Sequence, residues 1–298
     1  MPNPDQCPFA VKFTEHFLTK ITLKGFAMFR STAYRYPNEL LILILTIAIV
    51  LVILAIATVA TFCLTGLIIL GMLAFAIYSN YAHHQSLMQQ AYAVRPDNAP
   101  SLAKVATVSH RRLQPGPIKL YLVKSKVMNA YTFGLGDPKV IVLYEPLIKV
   151  MDGTELAFII GHEMGHVALG HTWLNTLLVG MSGVPTPFGA AIILYAAFRW
   201  WNRACEFSCD RAGLLACGSL TKAVTALVKL AAPEIRTQAD FERAMTMIDA
   251  QDDTVVNQIA ELFQTHPMII RRINQLKEYA ASTEYKRLQA AMDKNLTA

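Results

Sequence analysis

The sequence predicts an α+β fold, mainly helical with a small β-sheet, carried behind N-terminal transmembrane helices. Three observations point there. Leu40–Tyr78 is a long apolar run without one charged residue. Ile118–Val123 and Val140–Tyr144 are short runs rich in β-branched residues, bounded by turn signals. Asp152 and Glu155 form a capping-box pattern that opens the helical stretch Leu156–His171. The 298 residues are 54% hydrophobic and only 16% charged. A soluble domain has about 45–50% apolar and about 25% charged residues, so lipid contact is the first inference.

Residues 1–39 form a basic N-terminal segment. Within Phe13–Phe29, Lys20 and Lys24 continue a four-residue repeat begun by Lys12 and His16, beside an apolar stripe of Phe13, Phe17 and Ile21. Such a stripe suits a helix lying in a membrane interface, and equally one packed on the protein.

Residues 40–78 form the transmembrane segment. As one helix, its 39 residues would be about 58 Å long, against a hydrocarbon core of about 30 Å. A helical hairpin fits better, with Thr58–Gly66 as the only place for its turn. Five Lys or Arg precede the run (Lys12, Lys20, Lys24, Arg30, Arg35), which places the N-terminus in the cytoplasm. A hairpin returns the rest of the chain to that side; a single span would put it on the other.

Residues 79–218 read as a mixed core holding the two strands and an Asn129–Phe133 segment between them. Trp173–Phe198 is a charge-free apolar insert with Gly180, Gly183, Pro185, Pro187 and Gly189 at its middle. Split into two helices of about 20 Å each, it is too short to cross a bilayer twice. It is expected to dip into the membrane or pack on its surface, with burial in protein as the other reading. Residues 219–298 continue as helices, with a break at Pro267. His83 and His84 are expected to mark the aqueous end of the first apolar run.

The net charge of +6 is spread along the chain without aromatic interleaving, so nucleic acid is not an expected partner. The five cysteines are odd in number and lack paired CxxC spacing. They read as free thiols of a reducing compartment.

The chemistry is concentrated in His162-Glu163-Met164-Gly165-His166. Histidines four apart share one helical face and can chelate one ion, and neutral imidazole suits Zn²⁺. Glu163, one residue round the helix, can reach a metal-bound water without being a ligand. Forty residues on, Glu206 and Asp210 are also four apart. One can complete a two-histidine, one-carboxylate site, and the other can accept a hydrogen bond from a ligating histidine. His171 as a third ligand would compete with Glu206. Cys205 and Cys209 read better as buried thiols than as ligands, and Arg203 and Arg211 as partners for carboxylates.

The blocks "NAYTFGLGDPKVIVL", "ELAFIIGHEMGHVALGH", "RACEFSCDRAGLLA" and "THPMIIRRI", in this order over about 120–276, resemble the M48 family of gluzincin metallopeptidases. That group includes the bacterial membrane protease HtpX and the CAAX-processing proteases. The resemblance implies a gluzincin-type fold with one Zn²⁺ per chain on His162, His166 and Glu206. It further implies Glu163 as general base and Asp210 supporting His162. Asn129, Ala130 and Tyr131 would lie on an edge strand beside a peptide substrate, and His266 would assist at the oxyanion. The expected protein is a multi-pass membrane endopeptidase of the bacterial inner membrane, facing the cytoplasm. It would cleave membrane-associated or misfolded proteins in quality control or processing. Its expected partners are protein or peptide substrates and membrane lipid. The alternative is a non-catalytic membrane adaptor or chaperone-like protein retaining a structural zinc. A small transporter is disfavoured by the polar C-terminal third and by apolar runs free of ionisable residues.

Overall fold

A computed structural model describes residues 31–60, 64–176, 189–231 and 269–297, together with Glu242 and Thr246. The basic repeat of Phe13–Phe29, the centre of the insert (177–188), Pro267 and His266 lie outside the described residues.

The chain enters through a short 3-10 turn (Ser31–Tyr34) and rises into α1 (Glu39–Ala60) and α2 (Leu64–Met88). Residues 61–63, within the Thr58–Gly66 stretch expected to hold a turn, lie outside the described residues. Both helices are long and apolar enough to cross a bilayer. Ile44, Leu51, Ile56 and Val59 on α1 and Leu67 on α2 are largely exposed. α2 runs through the two histidines to Met88, and His84 stacks on Phe133 with ring centroids 3.6 Å apart. The aqueous boundary expected at His83 and His84 is thus a junction with the sheet.

That sheet contains β1 (Ala91–Ala93), β2 (Ile118–Val123), β3 (Ala130–Phe133) and β4 (Lys139–Tyr144), in the order β1-β2-β4-β3. β2 and β4 are parallel, whereas β1 and β3 are antiparallel to their neighbours. β1 was not foreseen; three residues are too few to establish an alternating pattern. One face of the sheet packs on the central helices through Ile141 and Leu143. Phe133 and Val142, on the other, meet Leu87 and Met88 at the end of α2. α3 (Pro100–Leu113) links β1 to β2, and α4 (Glu145–Val150) follows β4 directly.

α5 (Gly153–Ala168) is the centre of the molecule. Asp152 accepts from the backbone N–H groups of Thr154 and Glu155, both at 2.9 Å. Glu155 returns a bond to the Asp152 N–H, completing the capping box. Beyond this first turn nearly every side chain to His166 is buried. α6 (Gly189–Cys217) packs along α5, and α7 (Leu220–Ala231), α8 (Ile269–Ala281) and α9 (Thr283–Thr297) close the core.

α6 departs from expectation. The second half of the insert is not a separate short helix but the start of the same 29-residue helix that carries Glu206 and Asp210. No glycine or proline interrupts residues 190–210, so nothing stops the helix. Phe198, Trp201, Ala204 and Cys205 on it pack with Ile42 and Val50 of α1 and Met72 and Ala76 of α2.

The contact between α5 and α6 is made by glycines. A Cβ at Gly161 would lie 2.4 Å from the Ala216 Cβ and 3.1 Å from the Gly213 Cα. One at Gly165 would meet the Ala212 Cβ at 2.9 Å, and one at Gly213 would meet Phe158 at 2.8 Å. Gly to Ala in a helix interior ordinarily stabilises by about 0.5–1 kcal/mol. Here the sign reverses, because the added methyl forces two packed backbones apart at about 1–3 kcal/mol. Gly161→Ala is therefore expected to lower the thermal unfolding temperature, whereas an exposed glycine-to-alanine change on a helix would raise it.

Candidate metal centre

α5 presents His162, Glu163 and His166 toward α6, which presents Glu206 and Asp210 in return. His162 Nε2 lies 3.5 Å from Glu206 Oε2, and His166 Nε2 lies 3.5 Å from Glu206 Oε1. Ligand atoms of these three residues all lie within 4.8 Å of one another. A separation of 3.5 Å is long for a hydrogen bond, for which N–H···O is typically about 2.7–3.2 Å. It matches the spacing of about 3.3–3.5 Å between donors that share a tetrahedral ion through bonds of about 2.0–2.2 Å. Two imidazole nitrogens and one carboxylate, with a fourth position left open, fit Zn²⁺ chemically as well as geometrically.

Asp210 sits behind this trio. Its Oδ1 is 3.0 Å from His162 Nδ1, so His162 turns its Nε2 toward Glu206 and its Nδ1–H toward a carboxylate. Arg272 of α8 then ties the carboxylates together. It donates through Nε and Nη2 to Asp210 at 2.8 and 2.6 Å, and through Nη1 to Glu206 Oε2 at 2.9 Å. Burial pushes both carboxyl groups toward protonation. The Arg272 guanidinium and the facing imidazoles overcome it, holding Asp210 below and Glu206 well below their ordinary values. Against its own burial, His162 is drawn upward by its hydrogen bond to Asp210.

Arg272 was not singled out from the sequence, although it stands in the "THPMIIRRI" block. Of Arg203 and Arg211, the arginines expected to partner carboxylates, Arg211 lies over the rings of Tyr279 and Tyr36, 4.5 and 5.3 Å from their centroids. It also donates to the Arg35 carbonyl at 3.3 Å.

Glu163 stands beside the trio and faces β3. Its Oε2 accepts from the Thr132 hydroxyl at 2.6 Å. β3 is an edge strand, with only β4 hydrogen-bonded to it among the described residues. Tyr144 N–H donates to the Asn129 carbonyl at 3.0 Å, and the register pairs Tyr131 with Val142. In an antiparallel ladder the hydrogen-bonded pairs alternate, so Ala130 and Thr132 aim their main-chain groups at the open edge. Tyr131 spends its main chain on β4 and stacks its ring toward His84, 6.3 Å away on the other face. Of the three residues expected along a substrate, Ala130 is thus the one whose main chain faces the open edge, where its N–H is capped by Asn129 Oδ1 at 2.9 Å. The side chain that reaches Glu163 is that of Thr132, which was not foreseen.

His171 does not occupy the place of Glu206. It lies behind His166, with Nδ1 3.3 Å from His166 Nδ1. Cys205 and Cys209 are buried free thiols, and burial raises both pKa values, that of Cys209 far above the ordinary range. They are therefore protonated and poor ligands at neutral pH.

The family model for peptidase family M48 matches residues 99–280, which include α5, α6 and α8. The chain belongs to peptidase family M48. A chloroplastic plastoglobule-localized metallopeptidase 48 of Arabidopsis thaliana is 33% identical over 185 residues, 57% of this chain and 54% of the relative. A protease HtpX homolog of Desulfatibacillum aliphaticivorans is 26% identical over 63% of this chain and 72% of the relative. The metalloprotease LoiP of Escherichia coli is 31% identical over 36% of this chain and 45% of the relative. The chain thus spans about half the length of the Arabidopsis relative.

In this M48 protein Arg272 is the cation that the metal-free carboxylates share. Removing one partner of a buried ion pair leaves the other charge uncompensated, at about 3–5 kcal/mol. Arg272→Met is expected to lower the stability of the metal-free protein by that amount in denaturant titration, well beyond the effect of the same change at exposed Lys149.

Proposed function

We propose that this M48 protein is a membrane-anchored, zinc-dependent endopeptidase acting on membrane-associated or misfolded proteins. The observation that carries the reading is the meeting of His162 Nε2, His166 Nε2 and the Glu206 carboxylate at 3.5 Å, with the Glu163 carboxylate beside them. A structural zinc site needs no base; a hydrolytic one does. The names of the relatives, metallopeptidase, protease and metalloprotease, support the same reaction class.

His162, His166 and Glu206 would hold one Zn²⁺. Bound there, zinc supplies Lewis acidity and a water whose pKa falls toward about 7. Glu163 accepts a proton from the attacking water and later delivers it to the leaving amine. The Thr132 hydroxyl, donating to Glu163 Oε2, fixes the carboxylate's orientation. Asp210 keeps His162 in the tautomer that leaves Nε2 free for the metal. A peptide laid along β3 pairs with the Ala130 carbonyl and the main chain of Thr132, which presents the scissile bond to Glu163 in extended form. Asn129 and Tyr131 shape the ends of that edge, and His266 donates to the developing oxyanion.

The membrane reading rests on α1 and α2, whose exposed Leu, Ile and Val side chains are costly in water and favourable in lipid. As a hairpin, the two helices leave the N-terminus and the peptidase part on one side, which the basic residues before Leu40 place in the cytoplasm. The inner membrane of a bacterium is the corresponding location. The insert is read as entering the same apolar layer, since Phe198 and Trp201 pack on α1 and α2.

Purified protein is expected to contain about one zinc per chain, to digest casein, and to stop on chelation. Glu163→Gln should retain that zinc and lose about 10²–10⁴-fold in cleavage rate. Zinc kept by Glu163→Gln with its biological activity intact would instead identify the adaptor carrying a structural metal.

A further inference from the structure

Behind the metal centre lies a second buried polar cluster, and its key member comes from the anchor. Glu39, the first residue of α1, is 1% exposed although apolar chain follows it directly. Arg35 and the Ser208 hydroxyl both hydrogen-bond its carboxylate. His171 Nε2 lies 3.0 Å from its Oε1. The same Arg35 donates to the carbonyl of Leu169, the residue capping the C-terminal end of α5, at 2.9 Å. Tyr36 N–H donates to Ser208 Oγ at 2.7 Å. Glu39 is thereby fixed between the ends of α1 and α5 and the middle of α6.

We propose that Glu39 and His171 are positioning residues for His166, forming a hydrogen-bond chain from the first turn of α1 to a metal ligand. This rests on the zinc reading above. One arrangement of protons satisfies every contact. With Nε2 of His166 committed to the metal, its Nδ1 carries the proton and donates to His171 Nδ1, 3.3 Å away. His171 must then carry its own proton on Nε2, where Glu39 accepts it. Each ligand histidine is thus backed by a carboxylate, His162 directly by Asp210 and His166 through His171 by Glu39. Such partners fix the tautomer of a ligating imidazole and raise its basicity.

The cluster could instead be taken for a second metal site, since His171 also groups with Glu39 and Cys205, and with His166 and Cys209. The 3.0 Å contact between His171 and Glu39 is a hydrogen-bond length, however, and the Glu39 carboxylate already accepts from Arg35 and Ser208, which leaves it poorly placed to hold an ion. Cys209 Sγ, 3.6 Å from His171 Nδ1, is a protonated thiol that adds a weak contact to the same acceptor.

The test uses the full chain in detergent micelles. Zinc affinity is measured by competition with a chromogenic chelator for wild type, Glu39→Gln, His171→Phe and, for comparison, Asp210→Asn. His171→Phe is expected to weaken zinc binding about 10–100-fold, and Glu39→Gln in the same direction. Both should alter the visible spectrum of the cobalt-substituted protein, which packing alone would not change. Zinc affinity within about twofold of wild type in both folded variants, with an unchanged cobalt spectrum, would overturn the proposal. If a variant does not fold, wild type decides. In nitrogen-15 histidine NMR of the zinc-loaded protein, His171 should be the Nε2–H tautomer and His166 the Nδ1–H tautomer. An Nδ1–H or doubly protonated His171 would exclude the chain. Wild type that binds no zinc would remove both this proposal and the one before it; zinc bound equally by all variants would remove this one alone.

Discussion

The centre of this protein depends on how closely two helices approach. At Gly161, Gly165 and Gly213 the facing surfaces of α5 and α6 leave no room for a methyl group. That closeness brings short side chains from the two helices to one point. Histidine and glutamate reach only a few ångströms from their backbones. Separation by a further side-chain layer would leave His162 and His166 facing Glu206 across a gap. Gly165 therefore serves the site as surely as the residues flanking it, although it carries no functional group.

The second constraint is charge. Glu163, Glu206 and Asp210 bring three carboxylates into one small volume, and Arg272 is the cation beside two of them. Without further compensation such a cluster repels itself. A divalent cation held by His162, His166 and Glu206 would bring the formal sum to zero. The same arithmetic explains why Arg272 arrives from α8, which is remote in sequence. The far C-terminal part of the domain neutralises a site built by its middle.

Legibility in the sequence followed the locality of each rule. The capping box of α5, the histidine pair and the carboxylate pair obey spacings of three or four residues, and each stands where its spacing predicted. Both central strands were legible because proline- and glycine-containing turn signals and β-branched residues mark them within a few positions. Arg272, Thr132 and Glu39 were not. Their partners lie 62, 31 and 132 residues away, and no periodicity links such positions. Helix α6 shows a different failure. Glycines and prolines near 180–189 suggested two matched short helices, but a helix continues until something stops it. Between Gly189 and Cys217 the sequence offers no stop other than Gly213, which α6 uses for packing.

Glu39 also bears on how far the M48 core can be separated from the two apolar helices that precede it. A shortened chain starting at β1 would keep the histidine motif, both acidic residues of α6 and Arg272. By sequence alone it would look like a complete catalytic unit. It would lack Arg35 and Glu39, so His171 would face an empty space where its acceptor had been. Detaching such a domain during evolution, or in the laboratory, calls for a replacement acid at the exposed end of α5.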